Sequence, residues 1–300
     1  MEIYAWNTLL VLSKLGFYTG LIVIVGHIIH QNNILNYVKL KSSEAYSDYL
    51  NAIITILLLA IILTLSGFYA SIGVITGEGP SVVANTQMVE IVWSTSIGTS
   101  TLFRFIGLVI AISYFLLIWE FQRLDENRTL KWLLLGSAGL VLLYSIRLTG
   151  HVSVLGILEQ INLAIHVAIM AWWFSALWPL KLACNKCNSG VLIPMMEKFG
   201  KQASFLVSVL LIIGLILSIT LLESIIEFIK TPYGQLLLLK ISVVLAILSV
   251  AAINKLSLVP RLNTNSGIKR LSASISIEIV LAIIILVITA SLTTLTGPNN

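Results

Sequence analysis

Long apolar runs alternate with short polar segments along the whole chain. Each run is close to the roughly 20 residues that a helix needs to cross a hydrocarbon core of about 30 Å. None of the runs alternates apolar with polar residues, as a strand of a membrane barrel does. The pattern therefore predicts an all-α, polytopic transmembrane helical bundle with about eight spans. We place the spans at residues 8–29, 51–75, 97–119, 132–148, 157–180, 203–222, 233–253 and 271–295.

The composition agrees with this prediction. Of the 300 residues, 58% are hydrophobic and 10% are charged, whereas soluble domains carry about 45–50% apolar and about 25% charged residues. Because the connecting segments are short, we expect one integral-membrane domain over residues 1–300 and no separate soluble domain. No lysine or arginine precedes the first run, so the positive n-region of a signal peptide is missing and we expect this run to remain as a span.

Lysine and arginine are distributed unevenly among the connecting segments. Four alternate segments carry 13 of these residues, and the intervening ones carry only Arg147 and Lys230. Because basic short loops stay in the cytoplasm, we predict that both termini lie on the outer, periplasmic side of a bacterial inner (plasma) membrane. The basic excess thus follows from topology and does not indicate binding to nucleic acid. The 13 residues are Lys39, Lys41, Arg123, Arg128, Lys131, Lys181, Lys186, Lys198, Lys201, Lys255, Arg261, Lys269 and Arg270.

Besides Arg147 near the outer end of the fourth span, five charged residues fall within the predicted spans, where each costs roughly 2.5–3.5 kcal/mol on insertion scales. Lys14, Arg104 and Lys240 are predicted to lie in the outer half of the membrane. They would form a cationic cluster with Glu159 as the nearest anion, while Glu278 lies in the last span. Alternatively, such side chains only snorkel to the interface or pair to fix helix packing.

The four histidines of the chain all lie in or beside the predicted spans. His151 follows Gly150 at the outer end of the fourth span, and His166 lies near the middle of the fifth. Glu159, His166 and Met170 have i, i+7, i+11 spacing and therefore share one face of a helix. A carboxylate, an imidazole and a thioether along one face suit a path for copper, because Cu(I) favours sulfur and imidazole ligands. The alternative is a histidine that only forms a packing hydrogen bond.

Two further pairs have spacings compatible with a metal ion. His27 and His30 are three residues apart near the cytoplasmic end of the first span, which can direct both imidazoles to one ion. At the interface such a pair would otherwise simply be solvated. Cys184 and Cys187 form the only Cys-x-x-Cys motif, in a predicted cytoplasmic loop where thiols stay reduced. They either bind a soft metal ion or reflect loop composition.

Four segments carry a more specific pattern. The run TPYGQLLLLK from Thr231 to Lys240 is followed by Asn254 and by the triplet VPR at 259–261. Further segments are Ala164-Ile165-His166 with Trp173-Phe174 and Pro179, Gly150-His151, and the run from Glu278 to Pro298. These segments resemble the copper-resistance D (CopD) family of bacterial inner-membrane proteins, and the resemblance covers nearly the whole chain, including the number of helices.

The chain departs from the family pattern at several positions. Ser175 and Ala176 replace two glycines after the tryptophan, so we expect a looser helix approach there. Phe17 stands where the family has a histidine, and Lys14 stands where an arginine is usual. A metal site that relied on the missing histidine must be built differently in this chain.

The resemblance implies movement of copper across the inner membrane, described for the family as uptake together with a periplasmic copper-binding protein. It also implies a multi-pass protein in contact with membrane lipid. The sequence shows no hydrolase or nucleotide-binding motif, so we expect no enzymatic activity. The outer cationic cluster would repel a bare cation, so copper would need anionic ligands or a carrier protein. The hypothetical copper ligands, in order from the outer mouth to the cytoplasmic loop, are His151, Glu159, His166, Met170, His27, His30, Cys184 and Cys187.

Two other functions remain open at this point. One is a haem-binding or redox membrane protein with His151 or His166 as axial ligand and Lys14, Arg104 or Lys240 on the propionates. The other is a scaffold whose polar residues only join helices. A Soret absorption band would favour haem, and a colourless protein with bound copper would favour the function that the family implies.

Overall fold

The computed structural model describes residues 2–30, 34, 43–121, 127–221 and 227–296. These residues are mainly helical and include no strand, which confirms the predicted all-α class. The long helices are α1 (Glu2–His30), α2 (Ser43–Thr76), α4 (Ser96–Glu120), α7 (Ile157–Lys186), α8 (Ser189–Leu221), α10 (Pro232–Ile253) and α11 (Asn265–Leu295). The shorter ones are α3 (Thr86–Trp93), α5 (Arg128–Lys131), α6 (Ser137–Ile146) and α9 (Glu227–Lys230). Two π-helices, Trp132–Gly136 and Asn254–Leu258, continue α5 and α10.

Eight helices in the described part of the chain are long and apolar enough to cross a membrane, as predicted; besides the seven long ones, the continuous stretch Arg128–Ile146, made of α5, a π-helix and α6, is the eighth. Several extend beyond the predicted spans, because hydropathy locates the part of a helix in hydrocarbon and not the end of its backbone hydrogen bonding. Helix α8, for instance, begins at Ser189, well before the predicted start at residue 203. Helix α7 continues to Lys186 instead of ending at residue 180. The chain is therefore a multi-pass membrane protein.

The connection between the second and third spans folds into helical turns that the apolar pattern does not show. A 3-10 helix covers Pro80–Ala84, and the Asn85 side chain then accepts a hydrogen bond from the Met88 N–H to begin α3. Buried Val82 and Val92 pack in one cluster with Phe68 and Ile72 of α2. This short segment is thus anchored on the membrane helices by its own apolar side chains.

The chain divides into two compact units. Unit 1 comprises residues 1–24, 47–164 and 290–300, and unit 2 comprises residues 25–46 and 165–289. In unit 1, α4 packs closely on α6, where a side chain at Gly107 would lie 2.8 Å from Leu142. Three further side chains of α4 are fully buried: Leu108, Tyr114 and Phe115. Small residues at this contact let the helix backbones approach, as in other membrane bundles.

Unit 2 contains an equally close contact where the sequence predicted a loose one. A Cβ atom at Gly26 would lie only 2.9 Å from the Cβ of Ser175. The expectation of relaxed packing was therefore wrong at Ser175. The small residue that permits the approach is supplied by α1 instead of α7, and Ser175 donates its hydroxyl to the Trp172 carbonyl oxygen within its own helix.

The orientation of the helices stays a prediction from the distribution of positive charges. Lys39, Lys41 and Arg123, which contribute to it, lie outside the described residues. We expect a membrane-impermeant maleimide to label Val83→Cys, an exposed position between the second and third spans, on intact spheroplasts.

The second labelling position in this topology experiment, expected on the cytoplasmic side, is Asn188→Cys between the fifth and sixth spans. It is made in a background with Cys184→Ser and Cys187→Ser. It should react only after the membrane is permeabilised, because the neighbouring segment carries four of the basic residues. Labelling of Asn188→Cys, with protection of Val83→Cys, would reverse the predicted topology.

Candidate metal-binding site

His166 is held by a hydrogen bond that leaves one ring nitrogen available. Its Nδ1 lies 3.2 Å from the Leu210 carbonyl oxygen of α8, and the side chain is half-buried in unit 2. A carbonyl oxygen can only accept, so Nδ1 carries the hydrogen and donates it. In the neutral ring, Nε2 then carries a lone pair. Metal-binding histidines are oriented in this way by a backbone carbonyl on the other nitrogen.

Gly214 makes room for the His166 ring on the surface of α8. A Cβ atom at Gly214 would lie 3.1 Å from Cε1 of His166. Gly214 lies one helical turn beyond Leu210, so the imidazole rests on the turn whose carbonyl it contacts. Sequence reasoning selected His166 but missed both residues of α8, because a glycine in an apolar span gives no sign of what packs against it.

The other two predicted ligands of this face also lie on α7, which is one continuous helix. Met170 is half-buried one turn after His166 in unit 2. Glu159 belongs to unit 1 and lies in the first turn of α7, where a carboxylate interacts favourably with the helix dipole. His151 belongs to the 3-10 turn His151–Val154, and its side chain lies outside the described part of the structure.

His27 and His30 are both buried, at 1% and 3% exposure, so the structure contradicts a solvated pair at the interface. They lie in the last turn of α1, within unit 2. His30 Nε2 donates to the Trp172 carbonyl oxygen at 3.0 Å, and the two rings lie 5.9 Å apart between centroids. Its Nδ1 is then the nitrogen with a lone pair in the neutral ring.

Cys184 lies on α7 and not in a loop, which corrects the sequence prediction for this residue. It is buried, whereas Cys187 is half-buried just after the helix ends at Lys186, and neither forms a disulfide. Burial raises the pKa of the Cys187 thiol. The thiol form is therefore favoured at neutral pH, so a metal ion must displace a proton to bind there.

Two of the predicted intramembrane cations are neighbours in unit 1. Lys14 and Arg104 act electrostatically on each other. Lys14 donates to the hydroxyl of Thr293 at 2.9 Å and to its carbonyl oxygen. Arg104 donates to Thr149 at 3.1 Å, and its guanidinium lies 4.8 Å from the Phe17 ring centroid. In the described residues, no carboxylate forms an ion pair with either cation.

Phe17 stands at the position where the family has a histidine. Its ring instead forms a cation–π contact with the Arg104 guanidinium. Lys240 belongs to unit 2, where it acts electrostatically on His166. Glu278, the remaining intramembrane charge, is buried in unit 2 and accepts a hydrogen bond from Asn254. Sequence analysis identified Asn254 only as part of a motif and did not predict its hydrogen bond to Glu278.

The predicted ligands do not converge on one closed metal site within the described residues. No group of three or more histidine, cysteine, aspartate or glutamate side chains there has an arrangement that holds a metal ion. His166 and Met170 supply one imidazole and one thioether on neighbouring turns of α7. A permanent structural site needs a full set of protein ligands, so these two side chains alone do not form one.

Comparison with known proteins gives one finding. The model of the family described as Copper resistance protein D matches residues 193–292. This segment comprises nearly all of α8, the whole of α10, including its π-helical continuation, and most of α11. No curated protein and no solved structure gives a significant match to the chain.

Proposed function

We propose that this membrane protein moves copper across the bacterial inner membrane. The match over residues 193–292 supports this proposal, because it supports assignment of the chain to the copper resistance protein D family. Within this proposal the cargo is taken up towards the cytoplasm and is delivered by a periplasmic copper-binding protein. The protein carries out no covalent chemistry on its cargo. Its part is to offer ligands in an otherwise apolar membrane interior.

The observation that carries this proposal is the hydrogen bond from His166 Nδ1 to the Leu210 carbonyl oxygen. It fixes the ring so that Nε2 is the free nitrogen, as a metal ligand requires. Met170 on the next turn offers a sulfur atom, which copper favours in its reduced state. His166 also lies in the segment whose residues resemble the family's histidine–tryptophan pattern, so two independent arguments select it.

The remaining steps of the proposed route follow the order of residues along the spans. His151 and Glu159 would receive copper on the outer side. His27 and His30 would take it towards the cytoplasm, with the Cys184 and Cys187 thiols as an accessory acceptor. Because Lys240 acts on His166 electrostatically, a bare cation is repelled there. Copper would therefore travel with an anionic ligand or bind after Lys240 loses its charge.

A haem-binding or redox protein is a second candidate, favoured by Lys14 and Arg104. Two neighbouring cations without a carboxylate partner among the described residues are suited to an anionic group such as a propionate. The iron ligand of this candidate stays the sequence hypothesis of His151 or His166, since an imidazole lone pair serves haem as well as copper. The two candidates therefore differ in a property that is simple to measure.

Purified protein should be colourless and should retain copper in a fixed molar ratio after copper loading and desalting. Metal analysis by mass spectrometry and an absorption spectrum test this on one sample. The expected result is bound copper, no bound iron and no Soret band. A Soret band with stoichiometric iron would replace the copper proposal by the haem candidate. Protein without either metal, from membranes that contain both, would refute both candidates.

A further inference from the structure

Unit 2 contains a cavity of about 340 Å³ that the proposed copper ligands do not line. Its walls are mostly apolar and include Trp173, Met196, Phe199, Val207 and Leu248. A few polar side chains complete the lining. Small-molecule sites have this composition and a volume of roughly 300–1,000 Å³. Most of the lining residues lie in the segment that matches the copper resistance family.

The buried end of the cavity carries a carboxylate without a cation. Glu278 is 5% exposed and Asn254 is 7% exposed, and Asn254 Nδ2 donates to Glu278 Oε1 at 2.9 Å. Among the described residues, no lysine, arginine or histidine forms an ion pair with Glu278. A buried carboxylate needs more than one amide donor to offset the loss of water. This end of the cavity therefore lacks a positive group or a further hydrogen-bond donor.

The same end also carries an unsatisfied hydrogen-bond acceptor. Asn254 Oδ1 is buried and has no hydrogen-bond partner among the residues that the structure describes. Asn254 begins the π-helix Asn254–Leu258, an irregularity that in other proteins frequently marks functional sites. A proton on Glu278 alone would neutralise its charge but would leave this oxygen atom unsatisfied. A ligand with several N–H groups would serve both the oxygen atom and the carboxylate.

The cavity lining also carries the opposite charge, on an exposed side chain. Lys255 and Ser204 line the cavity and are both exposed, and Lys255 Nζ donates to the Ser204 hydroxyl at 2.6 Å. The lining thus combines a buried carboxylate, an exposed ammonium group and apolar walls. A zwitterionic amphiphile has the complementary set of groups: a cation, an anion and a hydrocarbon body.

We propose that this cavity binds a membrane amphiphile with a primary ammonium head, of the phosphatidylethanolamine class. The ammonium group donates to the Glu278 carboxylate and to Asn254 Oδ1, and the phosphate lies against Lys255. The hydrocarbon part packs on the apolar walls. The site does not use the copper ligands, so its test is independent of copper transport.

The test measures lipid retained by purified protein in native mass spectrometry, after exposure to one defined lipid in detergent. We expect wild-type protein to retain phosphatidylethanolamine and to lose phosphatidylcholine, whose head group has no N–H donor, and phosphatidylglycerol, which has no cation. Glu278→Gln should reduce the retained fraction by about tenfold, because a hydrogen bond between charged groups is replaced by a neutral one. Ala203→Phe, which narrows the apolar wall, should have a similar effect without altering the polar end.

Glu197→Gln is the matched control, since Glu197 is an exposed carboxylate of the same unit. It should retain phosphatidylethanolamine as wild type does. Equal retention of phosphatidylcholine would overturn the proposal by showing a general lipid contact. So would wild-type protein that holds no lipid, or retention of phosphatidylethanolamine at the wild-type level by both Glu278→Gln and Ala203→Phe. A variant that fails to fold is recognised by its lower thermal unfolding midpoint, and the other variant then decides.

Discussion

His166→Ala should reduce copper accumulation in expressing cells to the level of cells that lack the protein. The substitution removes an imidazole whose Nδ1 donates to the Leu210 carbonyl oxygen, so that Nε2 carries the lone pair. His166→Gln should fail equally, because glutamine can still donate to the Leu210 carbonyl but is a far poorer copper ligand. The measurement is cellular copper by mass spectrometry, divided by the amount of membrane-inserted protein.

Ile165→Ala is the control for the His166 variants, because Ile165 is exposed on the same turn of α7. It should accumulate copper as wild type does. If His166 only joins α7 to α8, the opposite pattern follows. Glutamine would then restore function, and alanine would lower the amount of protein in the membrane. That result would remove His166 from the ligand set and leave the histidines of α1 and His151.

Gly214→Ala should lower copper accumulation by about tenfold or more, the usual effect of disturbing a residue that orients a metal ligand. The new methyl group would lie 3.1 Å from His166 Cε1, so the ring must move by a few tenths of an ångström. Its hydrogen bond to Leu210 and the direction of Nε2 change with it. Copper accumulation per inserted protein measures the effect.

Gly190→Ala provides the comparison for Gly214→Ala, since it lies on the same helix and its new methyl group would meet only an ordinary contact at 3.7 Å. The same change of residue should then be neutral. If both variants behave as wild type, the ring position is not critical for transport. If both fail, α8 does not tolerate alanine for reasons unrelated to His166.

The eight spans could be predicted from sequence because a bilayer imposes one dominant requirement. Every backbone polar group in hydrocarbon must be satisfied internally, so a sufficiently long apolar run has to be helical. The ends of the helices follow a different rule. Helix α7 continues to Lys186, carrying Cys184 out of the predicted loop, because hydrogen bonding persists where hydropathy has already fallen. The short helix α3 was not predicted, because it lies in a connection between spans where the apolar pattern does not indicate a helix.

Sequence also selected the unusual side chains, because histidines and charges within spans are costly and therefore rare. His166, Lys14, Arg104 and Glu278 were all identified in this way. What each one contacts depends on residues far along the chain. Leu210 and Gly214 orient His166, and Gly26 supplies the close approach that glycines were expected to provide near Ser175.

The sequence alone determined the fold class, the number of spans and a small set of polar residues within them, since each follows from the cost of placing a group in hydrocarbon. The tertiary structure decided which of these residues are partners. It paired Asn254 with Glu278 at the end of a cavity, and it gave Lys14 and Arg104 neutral partners instead of carboxylates. Such pairings depend on how helices pack side by side, and a one-dimensional pattern of apolar and polar positions does not encode this packing.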